Sequence, residues 1–129
     1  MSVRGIPILA WAQAAAAIAI AKIWLRASPG RAVRWATHRD AGSSRVDASV
    51  SARAIAAIGA RYPLRASCLE QGLALVIWLS AARVPSRLVV GVTRADLELR
   101  AHAWVECGGT VILGGGPAAE FAPLTAAAL

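Results

Sequence analysis

The segment from Ser67 to Ala81 constrains the fold more than any other part of this 129-residue chain. Ser67 and Glu70 have the spacing of a capping box, in which serine caps the amides that begin a helix and glutamate reaches back. The sequence that follows, LEQGLALVIWLSA, is apolar on nearly every side. A helix of this kind has to be buried on most of its surface. The segment therefore predicts a central helix over residues 68–82, around which the rest of the chain packs.

Helices are also predicted before this segment. Residues 6–26 form a long apolar run, residues 31–47 a short helix and a loop, and residues 48–60 a further helix. The first run is nearly long enough to span a bilayer, although alanine dominates it and Lys22 interrupts it. This run is compatible with three roles: a helix docked on the domain or on a partner, a membrane contact, or a signal peptide.

Strands are predicted after the central helix. Residues 86–93 are β-branched and apolar on both faces, which is typical of an inner strand, and residues 94–99 read as a charged turn. Residues 101–106 alternate, with His102, Trp104 and Glu106 on one face. Gly108-Gly109 predicts a tight hairpin to a strand over 110–113. The tail, with Phe121, Pro123 and Leu124, reads as a loose edge segment.

This order of elements predicts an α+β fold. N-terminal helices come first, then the central buried helix, then an antiparallel sheet. Residues 1–65 would form the helical region and residues 66–129 the core, within one compact domain.

Composition narrows the function classes. The net charge is +7, but the arginines are scattered singly and form no basic run, so we expect no nucleic-acid partner. They form either a solvated surface or an attractive surface for an acidic peptide or anionic lipid. The two cysteines are too few for a disulfide framework, and a reducing cytoplasm is expected. No Cys/His cluster indicates zinc and no P-loop indicates ATP, so no cofactor is predicted.

Two residues are candidates for catalysis. Cys68 occupies the first turn of the central helix, where unpaired amides and the helix dipole favour the thiolate and could hold an oxyanion. The alternative is a small buried hydrophobic residue, a common role of free cysteine. His102 lies on a strand between two alanines and is the candidate base, provided that it pairs with Cys68.

Three motifs support this pairing by resemblance. They are SCLEQGLAL, VPSRLVVGV and AHAWVE, and they lie within roughly residues 66–124. These motifs resemble the transglutaminase-like core of the lasso-peptide B proteins, which are bacterial leader peptidases with a papain-like chemistry. The resemblance implies a cysteine protease with Cys68 as nucleophile and His102 as base and acid. The chain resembles the split form that lacks a leader-recognition domain.

The resemblance also implies partners. These are the lasso precursor peptide, cut at its leader–core junction, a separate leader-recognition protein and the lasso cyclase. The expected location is the cytoplasm, with peripheral membrane contact through the N-terminal helix as a further option.

One position departs from the family pattern. Gly114 stands about where the family usually has the aspartate that orients the histidine. A regular hairpin would place Glu106 opposite Val111 and His102 opposite Gly115, and glycine offers no side chain there. A backbone carbonyl could orient the ring instead, Glu120 or Asp96 could supply an acid, or activity could be lost. A non-catalytic scaffold that binds the precursor or cyclase, and an acyltransferase of the same superfamily, are therefore the alternative functions.

Overall fold

The computed structural model describes residues 5–42, 48–95, 98–114 and 122–123. The elements in chain order are α1 (Ile8–Ala27), α2 (Pro29–Thr37), α3 (Ser49–Gly59), α4 (Cys68–Ala81), β1 (Arg87–Ala95), β2 (Glu98–Cys107), β3 (Thr110–Leu113) and β4 (Ala122–Pro123). Helices precede an antiparallel sheet, which confirms the predicted α+β class.

The predicted central helix is α4, and it packs closely on the sheet. Leu73, Leu75 and Val76 are fully buried, as the apolar pattern requires. Gly72 is the point of closest approach, because a Cβ atom there would lie 2.6 Å from Cδ1 of Leu88 on β1. The same Cβ would lie 3.6 Å from Cγ2 of Val105 on β2. The absence of a side chain at this position lets the helix lie directly on the two central strands.

The sheet has the order β3-β2-β1-β4. The turn predicted over residues 94–99 is wrong, because β1 and β2 pair almost to their connection, with Arg94 opposite Leu99 and Ala95 opposite Glu98. Charged residues do not interrupt a ladder that is made by the main chain. The predicted Gly108-Gly109 hairpin is confirmed, and both glycines have positive φ (58° and 80°). This is the backbone that a two-residue hairpin turn requires.

The C-terminal tail contributes the edge strand on the far side of β1. Pro123 pairs with Gly91, and Ala122 pairs with Val92. Phe121 and Leu124, which were also assigned to this segment, lie outside the described residues.

The first helix is docked on the domain through small side chains. Ala14, Ile18 and Ala21 of α1 are completely buried, and α1 packs against both α3 and α4. Lys22 donates hydrogen bonds to the Arg65 carbonyl (2.7 Å) and to both Glu70 carboxylate oxygens (3.2 and 3.3 Å). The lysine that interrupts the apolar run is therefore the residue that ties α1 to the start of α4.

The opposite face of α1 is apolar and exposed. The exposed fraction is 87% for Ile8, 68% for Leu9, 51% for Ile20 and 67% for Ile23. Within the described part of the chain, α1 is the one helix long and apolar enough to cross a membrane, a property that core helices and signal sequences share.

We predict that Lys22→Ala lowers the free energy of unfolding by about 1 kcal/mol at neutral pH, because it removes an ion pair at the start of α4. Burial tends to raise the pKa of Glu70, but the Ser67 amide and Lys22 outweigh it and hold that pKa below its usual value. Glu70 therefore stabilises the fold above its unfolded-state pKa, and this contribution is lost as the pH falls through the lower, folded-state pKa. Urea unfolding at neutral and acidic pH measures the effect, and the deficit of Lys22→Ala should shrink on acidification.

Gln13→Ala, an exposed change in the middle of the same helix, is the matched control and should be nearly neutral. Equal losses from the two substitutions would show that the Lys22 contact adds nothing specific.

Candidate active site

The start of α4 is a complete capping box. The Glu70 amide donates to Ser67 Oγ (3.2 Å), and the Ser67 amide donates to Glu70 Oε1 (2.9 Å). The next amide, of Gln71, donates to the Ser67 carbonyl (2.9 Å) and begins the regular helical pattern. The predicted cap is therefore confirmed, and it fixes where the helix begins.

Cys68 is the first residue of the capped helix, and it is exposed. Three amides precede the regular helical bonds, and the cap satisfies only that of Glu70. Within the described residues, the amides of Cys68 and Leu69 have no acceptor in the cap or in the helix. Two amide donors beside an accessible thiol can stabilise negative charge on a carbonyl oxygen that the sulfur attacks. The alternative prediction, that Cys68 is a buried hydrophobic residue, is wrong.

His102 lies on β2, opposite Gly91 of β1, and its ring is oriented by the main chain. The Nε2 atom lies 2.8 Å from the carbonyl oxygen of Gly114. A carbonyl oxygen only accepts, so Nε2 is the nitrogen that carries the proton. In a neutral ring, Nδ1 then has the lone pair that a base uses. Of the three explanations for the departure at Gly114, a backbone carbonyl is the one found among the described residues.

Gly114 has a conformation that favours glycine. Its φ is +72°, and a Cβ there would lie 2.7 Å from the Ala103 carbonyl oxygen and 3.3 Å from Cα and Cβ of Trp104. A side chain at this position would meet the backbone of β2, so the absence of a side chain lets the carbonyl approach His102.

A β-bulge produces this approach. The predicted pairing of Glu106 with Val111 is confirmed, but a register shift then pairs Val105 with Leu113, where a regular ladder would pair it with Ile112. The extra residue on β3 moves Gly114 one step along the partner strand. The predicted pairing of His102 with Gly115 lies outside the described residues.

Glu106 does not replace the missing aspartate. Its Oε1 accepts a hydrogen bond from Arg87 (2.8 Å), and its Oε2 lies 3.5 Å from Trp104 Nε1. The Glu106 carboxylate is therefore bound to Arg87 and Trp104, near the end of β2 and away from His102. Glu120 and Asp96, the other acids considered, lie outside the described residues.

The two candidate residues lie on elements that touch, since α4 packs against β2. Ala103 and Val105 on β2 belong to the same buried core as α4, whereas His102 alternates with them and lies on the other face of the strand. The pairing of the Cys68 thiol with the His102 ring therefore stays a prediction, and catalytic hydrogen bonds often form only when substrate is bound.

Neighbouring residues have structural roles. Gln71 donates to the Ala66 carbonyl (3.0 Å) and holds the connector before Cys68. Trp104 is 4% exposed, and its ring centroid lies 6.2 Å from that of His102, so it packs beside the imidazole. Cys107 is also 4% exposed, and burial raises the pKa of its thiol. The sequence allowed a backbone carbonyl as the orienting group but could not show that it belongs to Gly114, because a carbonyl is common to every residue.

We predict that Gly114→Ala destabilises the protein more than Gly109→Ala. Both positions have positive φ, which costs a residue with a Cβ roughly 1–2 kcal/mol. Only Gly114 adds a backbone contact, because a Cβ at Gly109 meets nothing within 4 Å. The difference between the two melting temperatures isolates the close approach of Gly114. Equal melting temperatures would mean that the carbonyl is not held tightly against β2.

Comparison with known proteins assigns the fold to a family. The model of the transglutaminase-like superfamily matches residues 5–126, and so includes the N-terminal helices as well as the three motifs. No curated protein matches the chain. No solved structure matches it either. A thiol at the start of a buried helix, a histidine on an adjacent strand and a family match over nearly the whole sequence lead to one assignment: the chain belongs to the transglutaminase-like superfamily.

Proposed function

We propose that this protein is a cysteine peptidase that cleaves the leader from a lasso-peptide precursor. The observation that carries the proposal is the start of α4, where an exposed Cys68 stands beside two amides without helical acceptors. The superfamily, which includes cysteine proteases, supports the chemistry. The finer assignment rests on the resemblance of SCLEQGLAL, VPSRLVVGV and AHAWVE to the lasso-peptide B proteins.

The reaction follows from the roles of two side chains. Cys68 transfers its proton to the unprotonated nitrogen of His102, and the sulfur attacks the carbonyl carbon of the leader–core bond. The oxyanion that forms accepts hydrogen bonds from the amides of Cys68 and Leu69. His102 returns the proton to the departing amine of the core peptide. Water, deprotonated by His102, then hydrolyses the thioester and releases the leader with a free carboxylate.

The Gly114 carbonyl has a defined but limited part in this reaction. It fixes the tautomer and the orientation of the imidazole, as a carboxylate would. Because it is neutral, it stabilises the imidazolium less than a carboxylate does. A cysteine nucleophile tolerates this better than a serine, because a thiol is intrinsically easier to activate.

The proposed partners follow from the same resemblance. The protein would act in the cytoplasm on a precursor that is presented by a separate leader-recognition protein, and the lasso cyclase would receive the freed core amine. The exposed face of α1 is the surface we propose for contact with a partner or with the membrane.

We predict that Cys68→Ala abolishes leader removal without lowering the melting temperature, because residue 68 is exposed and the cap does not use its side chain. The assay is mass spectrometry of a precursor incubated with the protein and the leader-recognition protein. Cys107→Ala is the matched control and should retain cleavage. Undiminished cleavage by Cys68→Ala would end the proposal, and a leader-sized fragment joined to an amine would indicate acyl transfer.

We also predict that His102→Gln slows iodoacetamide labelling of Cys68 several-fold near neutral pH, because the imidazole stabilises the thiolate. The comparison is made between His102→Gln and wild type, since Cys107 is buried and its slow labelling would only report exposure. His38→Gln, an exposed histidine on another element, is the control. Equal rates in wild type and His102→Gln would favour the non-catalytic scaffold.

A further inference from the structure

An open groove lies at the end of α4 opposite Cys68. It has a volume of about 710 Å³, which is in the range of ligand sites. Its walls come from the end of α2 and the segment after it, and from the end of α4 and the connector to β1. The lining residues are Trp35, His38, Arg39, Asp40, Ser80, Arg83, Val84 and Pro85.

The groove carries two arginines, Arg39 and Arg83, that have no carboxylate partner among the described residues. Among the described residues, the ion pairs are Lys22–Glu70 and Arg87–Glu106, so neither Arg39 nor Arg83 is paired with a carboxylate. The buried Nε of Arg39 has no hydrogen-bond acceptor in the described part of the chain. The acid of the lining, Asp40, accepts a hydrogen bond from the Gly42 amide (2.9 Å).

Arg39 is held in place by the ring of Trp35, which in turn packs on Trp24. Its guanidinium carbon lies 4.5 Å from the centroid of Trp35, and the Trp35 ring lies 5.3 Å from that of Trp24. Stacking of this kind orients the planar guanidinium and reduces the entropy lost when it binds. An oriented guanidinium suits a carboxylate, which it can bind through two parallel hydrogen bonds.

Arg83 has a backbone conformation that glycine would adopt more easily. It follows the end of α4 with a φ of 61°, in the left-handed region that commonly ends a helix with glycine. Its amide donates to the Ser80 carbonyl (3.0 Å), so the strained residue is part of the helix end. The side chain of Arg83 is exposed and lines the groove. A charged side chain at a position where it costs conformational energy indicates a use for that side chain.

We propose that this groove binds an acidic segment of a peptide. Arg39 and Arg83 hold a carboxylate of the segment, and a neighbouring apolar side chain packs on Trp35, Val84 and Pro85. The net charge of +7 favours the approach of such a segment.

The distance between the groove and Cys68 determines how long a peptide must be to reach both. Ser80 comes twelve residues after Cys68 on α4, about 18 Å along the helix. An extended peptide would need roughly six residues to connect the two positions. If the protein is the peptidase proposed above, the groove is an exosite that holds the substrate at this distance from the scissile bond. The binding itself does not depend on that function.

The test is fluorescence anisotropy with Cys68→Ala protein, so that binding is measured without cleavage. The probe is a labelled ten-residue peptide with two glutamates beside a leucine, compared with the same peptide carrying glutamines. We expect the glutamate peptide to bind roughly tenfold more tightly, and less tightly as salt increases. Equal binding of the two peptides would overturn the proposal.

Two added substitutions locate the site. Arg83→Gly should weaken binding roughly tenfold while the melting temperature stays unchanged or rises, because glycine relieves the backbone strain. Arg31→Gln, an exposed change on α2 outside the groove, is the matched control and should bind as before. Undiminished binding by Arg83→Gly would overturn the proposal. So would displacement of the peptide by inorganic phosphate at an equal concentration, which would show a simple anion site.

Failure of this proposal is distinguishable from failure of the proposed function. Loss of groove binding alone would leave cleavage of a short peptide at Cys68 intact. Loss of cleavage alone would leave the binding result intact, because binding is measured in protein that lacks the nucleophile.

Discussion

The close packing of α4 on β1 and β2 is the contact on which the rest of the structure depends. Gly72 allows it, since any larger residue would meet Leu88. The contact fixes the helix relative to the sheet, and the capping box fixes where the helix begins. Together they determine the position of Cys68, and α1 secures that position from outside through Lys22.

Local features were predictable from the sequence because they depend on neighbouring residues. The spacing of Ser67 and Glu70 gave the cap, and Gly108-Gly109 gave the hairpin. The start of the second helix was placed two residues late, at residue 31, because a single residue, Ser28, separates α1 from α2 and Pro29 already begins α2. The turn over 94–99 was overestimated because a charged sequence indicates exposure and does not prevent main-chain pairing.

Features that join distant residues could not be predicted in the same way. The contact between Lys22 and Glu70 spans 48 positions, and no local pattern announces it. The bulge beside Glu106 and the approach of the Gly114 carbonyl to His102 depend on how two strands pair. Sequence reasoning located the gap in the family pattern at Gly114, but side-chain chemistry alone could not show that the same residue contributes its carbonyl.

The conformation of Gly114 has an evolutionary consequence. Codons for glycine and aspartate differ by a single base, so a substitution by the aspartate that the resemblance implies is genetically close. In this backbone it is structurally distant, because a Cβ at Gly114 meets the Ala103 carbonyl and the residue has positive φ. An aspartate at position 114 would therefore also require the bulge between β2 and β3 to be removed. Either change alone, the substitution or the loss of the bulge, would remove the carbonyl contact that supports the His102 ring. The identity of residue 114 is therefore coupled to the pairing of β2 with β3, and the two would have to change together.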